Sequence, residues 1–264
     1  MSKLPIDPYE LLRRALAAQI DLGLSDAVIG KSDTAKHTLE VADFAVAPAP
    51  EVVTAVEAVR SETGTPQVMQ GSIDLMGQPR FETLELHNKA ICTCLLCPLG
   101  QTRNKFVYGV GNPHARLMFI GEAPGEEEDR QGEPFVGRAG QLLDRILAAI
   151  QLSRNDVYIA NILKCRPPGN RDPQPDEVNK CLPYLREQIR IIKPKLICAL
   201  GRIAAQNLLA TTKPLGKLRN QWHEFEGIPL WITYHPAALL RFPEYKKDTW
   251  ADMQILKARY DNLV

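Results

Sequence analysis

The sequence is short of several features that would fix a class at once. No apolar run approaches the ~20 residues needed to span a bilayer, and the amino terminus has no apolar core of secretory type. A cytoplasmic protein is therefore the default expectation. Net charge is almost absent, at a formal +1 over 264 residues. The chain as a whole is no polycation, so any contact with nucleic acid must come from local patches of Lys and Arg. No nucleotide P-loop is present, because no Gly-Lys-Ser/Thr follows the Gly-rich stretch. Periodicity is lacking between about Gly23 and Gly77, where Ala-Pro-Ala-Pro at 47–50 and scattered Thr, Ser and Gly read as a linker.

What is there belongs to a globular protein, with 45% hydrophobic residues. The helix signals before the main domain are local. Asp7, Pro8 and Glu10 form a capping pattern that predicts a helix over 7–22, and a short one is expected around Glu51 to Arg60. Helical spacing returns from Phe81 through Leu84 to His87, and His87 reads as a solvated surface residue.

The pattern then changes to strands alternating with helices. Leu117 to Ile120, Val157 to Ala160, Leu196 to Leu200 and Leu230 to Tyr234 are short apolar runs of the kind buried strands show. Helical spacing falls between and after them, at Leu142 to Ile150, Asp176 to Ile192, Ile203 to Leu208 and Trp250 to Tyr260. Such repetition implies a parallel sheet covered on both faces. Ligands of such sheets bind at the carboxyl ends of the strands.

Those ends carry the candidate chemistry. The first strand opens into Gly121 to Gly140, GEAPGEEEDRQGEPFVGRAG, a long loop with glycines that let backbone approach a ligand. Its aromatic, Phe135, fits neither a strand nor a helix period. Asn161 follows the second strand, and His235 follows the last one on a Pro-stiffened loop with Leu239, Leu240 and Arg241. These three strand ends are expected to converge.

Six cysteines are present, and in a reducing compartment they are metal ligands or core residues before they are disulfides. Cys94 and Cys97 form C-x-x-C, while Cys92 lies too close to Cys94 to join it. Cys165 and Cys181 complete four thiolates, and Cys198 sits inside a strand as core. Four sulfurs suit tetrahedral zinc or an iron–sulfur cluster, and spacing does not choose.

Taken together, GEAPG with EEED and GEPFVG, ANILKCRPP, YHPAALLR and the four spaced cysteines resemble a family 4 uracil-DNA glycosylase, over roughly Glu85 to Val264. The resemblance implies a three-layer α/β/α fold with a four-stranded parallel sheet, a [4Fe-4S] cluster on Cys94, Cys97, Cys165 and Cys181, and excision of uracil from single- or double-stranded DNA in base excision repair. It implies a catalytic domain over 81–264, preceded by a poorly ordered extension over 1–80 with one helix and a flexible linker. A monomer without membrane association is expected.

By position in the motifs, the resemblance makes Glu122, Asn161 and His235 catalytic. It places Gly121, Glu128, Phe135, Asn161 and His235 around the base, with Glu128 guarding uracil C5 against a methyl group and Phe135 stacking. Leu239, Leu240 and Arg241 match the loop that enters the duplex. Arg166 and Arg219 are candidate phosphate contacts, as are Lys105, Arg138, Arg171 and Lys217. Relatives usually have Gly after the Arg of Leu218-Arg219-Asn220, so this loop departs from the pattern. A covalently trapping cousin carries a basic insertion after its Asn motif that Lys164-Cys165-Arg166-Pro167 lacks, so turnover is expected. The rival readings are a metal-stabilised nucleic-acid-binding module without catalysis and a glycosylase for another damaged base.

Overall fold

The computed structural model describes residues 80–263. The helices expected over 7–22 and near 51–60, and the linker between them, lie outside the described residues.

The sheet forms from the predicted apolar runs. Strands β2 (Leu117–Gly121), β3 (Tyr158–Asn161), β4 (Leu196–Leu200) and β6 (Ile228–Thr233) are parallel, in the spatial order β3-β2-β4-β6. Every residue of β2, β3 and β4 is buried, as strands covered on both faces must be. Alternation divides the side chains between two layers. Met118, Ile120, Ala160, Ile197 and Ile232 pack on one face, and Leu117, Phe119, Ile159, Cys198 and Trp231 on the other. Cys198 is a core residue, as its position in the strand implied.

Among the described residues the sheet has six strands, the four expected parallel ones and two more. Two short antiparallel strands close its edges: β1 (Val110–Gly111) on β3 and β5 (His223–Phe225) on β6. Strands of two or three residues give too little period to read from sequence. They exist because the edges of the parallel core offer unpaired backbone groups.

Helices cover both faces. On one side lie α1 (Leu84–Ile91), α5 (Pro175–Ile192) and α6 (Arg202–Leu208); on the other lie α4 (Arg138–Ala149) and α9 (Tyr245–Asp261). Helix α4 buries Leu142, Leu143, Ile146 and Leu147, the i, i+1, i+4, i+5 stripe of an amphipathic helix. Helix α5 continues through Pro183, whose ring points to solvent. Short helices α2 (Leu99–Thr102), α3 (Glu126–Gln131), α7 (Leu215–Leu218) and α8 (Pro236–Arg241) sit in the connections. Among the described residues no helix is long and apolar enough to cross a membrane.

His87 corrects its sequence reading. It is buried on the inner face of α1, its Nδ1 hydrogen-bonded to Tyr108 Oη at 2.9 Å and its ring near those of Phe81 and Tyr184. Burial holds its pKa down at about 4. The helical period places 87 on the inner face with Leu84 and Ile91; only the polarity of histidine argues for solvent.

Candidate active site and cysteine centre

The chain leaves β2 toward β3 on one side and reaches β4 on the other, so a crevice opens at their carboxyl ends. A cleft of about 660 Å³ occupies it, lined by Glu122, Glu128, Phe135, Asn161, His235 and Arg241 among others. Register brings these residues together. Gly121 pairs with Asn161 across β2 and β3, and Leu200 with Thr233 across β4 and β6, so the residues that follow these pairs emerge side by side.

Two glycines allow the approach. A Cβ on Gly121 would lie 2.4 Å from Asn161 Oδ1 and 2.6 Å from Phe135 Cζ, closer than real contacts permit. Gly201, at φ +90°, would put a Cβ 2.8 Å from that of His235. The amide, the aromatic ring and the imidazole thus meet around bare backbone. The Asn161 side chain is 2% exposed, and its Oδ1 is buried without a hydrogen-bond partner. A buried polar atom left unpaired costs about 1–3 kcal/mol, a cost that marks a ligand position more readily than a structural one. Behind it the Asn161 carbonyl accepts from Lys164 Nζ at 3.0 Å, and Lys164 also donates to Gln188 Oε1 at 2.6 Å.

Phe135 is buried and held in the left-handed region at φ +56°, an uncommon conformation for a bulky residue. Its ring centroid lies 5.5 Å from that of His235, tilted by 32°. The carbonyls of Pro134 and Phe135 both accept from Arg154, which also donates to Asp144 of α4. Gly140 supplies the remaining room, since a Cβ there would fall 1.7 Å from the Phe135 oxygen.

His235 accepts the Ala237 backbone N–H on Nδ1 at 3.1 Å. Burial first, then the positive charge of Arg241, hold its pKa down at about 4. The ring is neutral near pH 7, and its proton sits on Nε2. Glu122 behaves in the opposite sense. Burial first, then Asp172, raise its pKa to about 7, against the lowering influence of Arg202 and Arg241. Glu128 is a fixed wall: Oε1 accepts from the Val136 and Gly137 amides at 2.9 Å each, and Oε2 from Gly125 at 3.1 Å.

The side chains expected at DNA divide. Leu240 is exposed and Arg241 is exposed on the cleft rim. Leu239 is not a wedge: it is 1% exposed and packs in the core against α4 and α9. Helix α8 turns one leucine of the pair inward. Arg219 is not free for phosphate either. It is buried, pairs with Asp252 at 2.8 Å and lies over the Tyr234 ring at 4.1 Å. Arg166 donates to Asn170 Oδ1 at 2.8 Å and lies 3.5 Å from Glu126. Arg171 is engaged by Glu177, and Lys105 reaches the Gln131 carbonyl. Arg138 and Lys217 are exposed. Sequence reasoning missed Arg154, whose partners lie 10 and more residues away along the chain, and the aromatic wall formed by Tyr234, Phe242 and Tyr245.

The four cysteines converge. Cys94, Cys97, Cys165 and Cys181 line one small cavity closed by Phe106 and Tyr184. Sulfurs there accept donors: Tyr184 Oη to Cys94 at 3.2 Å, Arg103 Nη1 to Cys165 at 3.3 Å, and the Lys164 amide to Cys181 at 3.3 Å. Cys92 does not line the cavity; its thiol points to the Lys89 carbonyl.

Comparison with known proteins accords with this geometry. A family model described as the uracil DNA glycosylase superfamily matches residues 108–254, more than half of the chain. The chain belongs to the uracil DNA glycosylase superfamily. Within that superfamily it is similar to the Type-4 uracil-DNA glycosylase of Archaeoglobus fulgidus, with 44% identity over 66% of this chain and 92% of that protein. The Type-4 enzymes of Saccharolobus solfataricus (43% identity, 67% of this chain, 86% of that protein) and Thermotoga maritima (44%, 61% and 85%) are similar to it as well. A Type-5 uracil-DNA glycosylase of Pyrobaculum aerophilum is more distant, at 34% identity over 49% of this chain and 64% of that protein. Superfamily membership thus covers the six-stranded sheet and the cleft at its carboxyl edge, while residues 1–107 and 255–264 lie outside the matched segment.

Proposed function

We propose that this chain hydrolyses the N-glycosidic bond of uracil in DNA, leaving an abasic site for base excision repair, with the catalytic domain over 81–264. The observation that carries the reading is the Asn161 amide, its Oδ1 buried and unpaired beside Phe135 and His235 in one cleft.

Uracil in a duplex is inaccessible, so its nucleotide must be everted at a cost of a few kcal/mol. Leu240 on the rim suits the vacated stack, and Arg241 a phosphate. The Phe135 ring offers a face to the base, worth about 1–3 kcal/mol per stacked base. Asn161 Oδ1 accepts uracil N3–H while Nδ2 donates to O4. Cytosine inverts that pattern and leaves buried groups unpaired, a mismatch that discriminates by ~10⁴ or more. Glu128, immobilised by three amides, suits steric rejection of a C5 methyl.

Bond cleavage develops negative charge on uracil and positive charge on the sugar. The neutral His235 donates Nε2–H to O2, and donors aimed at developing charge are typically worth ~2.7–4 kcal/mol. Glu122, with its pKa near 7, is suited to take the proton of the attacking water.

The four cysteines that share one cavity are suited to hold a [4Fe-4S] cluster, as the resemblance to the Type-4 enzymes implies. Four cysteines around one cavity, three of them with hydrogen-bond donors aimed at sulfur, suit a polynuclear centre. The cluster would tie the α1–α2 segment to the loop after Asn161.

The test is release of base from oligonucleotides holding a single uracil, hypoxanthine or thymine mismatch, followed by alkaline cleavage. Strand breaks are expected at uracil, and their absence there would overturn the reading.

A further inference from the structure

The cleft is larger than one pyrimidine requires, and the wall beyond His235 is aromatic. Tyr234 and Tyr245 stack face to face, with ring centroids 4.3 Å apart and planes within 2°. Phe242 continues the row, 5.7 Å from Tyr245 and tilted by 48°. All three line the same cleft as Asn161 and His235. Phe242 is 47% exposed, which is unusual for a phenylalanine that has a hydrophobic layer within one helical turn.

The row is buttressed from behind. Arg219 lies over the far face of Tyr234 at 4.1 Å, and its guanidinium is fixed by Asp252, which also accepts from Thr233 Oγ1 at 2.6 Å. An ordered chain of contacts therefore runs from a buried carboxylate to a solvent-facing ring. Rigidity of this kind lowers the entropy lost when a ligand is bound. Arg241 precedes Phe242 on the rim of the cleft, where a cation suits a phosphate.

We infer that Phe242, carried on Tyr245 and Tyr234, is a stacking platform for the base next to the everted uridine in single-stranded DNA. This rests on the proposed uracil-excising function and goes beyond it, since it adds a second base site to the cleft. An aromatic face accepts any base, because every base has a π-face. The adjacent strand is then held by stacking without sequence preference. A single strand meets the platform freely, whereas in a duplex the same base is paired and stacked already.

The experiment measures binding of single-stranded oligonucleotides carrying 2′-fluoro-2′-deoxyuridine, a uridine analogue that resists cleavage, by fluorescence anisotropy. The neighbouring nucleotide on either side is normal or replaced by a tetrahydrofuran abasic residue. Removal of the base on one side is expected to weaken wild-type binding by roughly 5- to 150-fold. Phe242→Ala should bind weakly and equally whether or not that base is present, and Phe242→Trp should restore the dependence. Phe242 is exposed, so melting temperatures of all three proteins should agree within a few degrees. A wild type indifferent to both neighbours, or a Phe242→Ala protein that keeps the dependence, would overturn the platform. Uracil release by the wild type is measured in parallel. Release with indifference to neighbours rejects the platform alone, and no release rejects the underlying function.

Discussion

The backbone N–H of Ala237 donates to His235 Nδ1 at 3.1 Å, two residues along the first turn of α8. This contact decides what the imidazole can do. With Nδ1 occupied as an acceptor and the pKa near 4, the ring offers one N–H, from Nε2, at any pH where DNA is intact. His235→Ala should lower single-turnover uracil release by about 10²–10³, the usual cost of one donor to a developing oxyanion. Release should not fall between pH 5 and 8 on account of this histidine, because it carries no proton to lose on Nδ1.

Glu122 should dominate the pH profile instead. Its carboxylate is the reactive form if it takes a proton from water, so kcat/KM should rise with pH through about 7 and level off above it. Glu122→Gln should remove that rise as well as lower the rate. The same burial has a thermodynamic side. The folded protein binds this proton more tightly than the unfolded chain, so stability falls as pH rises from the ordinary carboxylate value to about 7. Glu122→Gln should therefore gain melting temperature relative to wild type at pH 8 and little at pH 4.

Arg154 should act through Phe135 without touching substrate. Its fork holds the Pro134 and Phe135 carbonyls, and Phe135 sits at φ +56°. Residues held in such regions cost of order 1–3 kcal/mol and persist only under constraint. Arg154→Ala should raise KM for uracil DNA more than it lowers kcat, and Arg154→Lys should recover part of the loss. Steady-state kinetics on a single-uracil oligonucleotide separate the two effects.

The parallel strands and their polar tips were legible because buried strands read as continuous apolar runs, and because β2 and β3 pair Gly121 with Asn161. The cysteines could be grouped by type, but Cys94 and Cys181 meet only through the packing of α5 against the α1–α2 segment. The rest depended on partners far along the chain. Arg219 reads as a loop cation until Asp252, 33 positions later, is seen beside it. Leu239 and Leu240 are chemically identical, and only the turn of α8 sends one inward. Phe242 reads as a residue before a proline; its exposure and its place on the cleft wall are tertiary facts.

Arg219 and Asp252 supply a test of that correction. Their side chains are 6% and 1% exposed, so removing one partner strands a buried charge, at a cost of about 3–5 kcal/mol. Asp252→Ala and Arg219→Ala should each lower the melting temperature sharply. A phosphate contact behaves differently: its loss reduces the slope of log affinity against log salt by about one. Arg219→Ala should leave that slope unchanged under conditions where it is folded, and Arg241→Ala should reduce it.

Asn161 tests the account most directly. Asn161→Asp keeps the acceptor for N3–H but replaces the donor to O4 with an oxygen, in a side chain of nearly the same shape. Single-turnover release of uracil should fall by ~10² or more, toward the ~10⁴ of a full polar mismatch, while affinity for uracil-free DNA stays within twofold of wild type. Wild-type rates of uracil release from Asn161→Asp would contradict the claim that this amide reads the base.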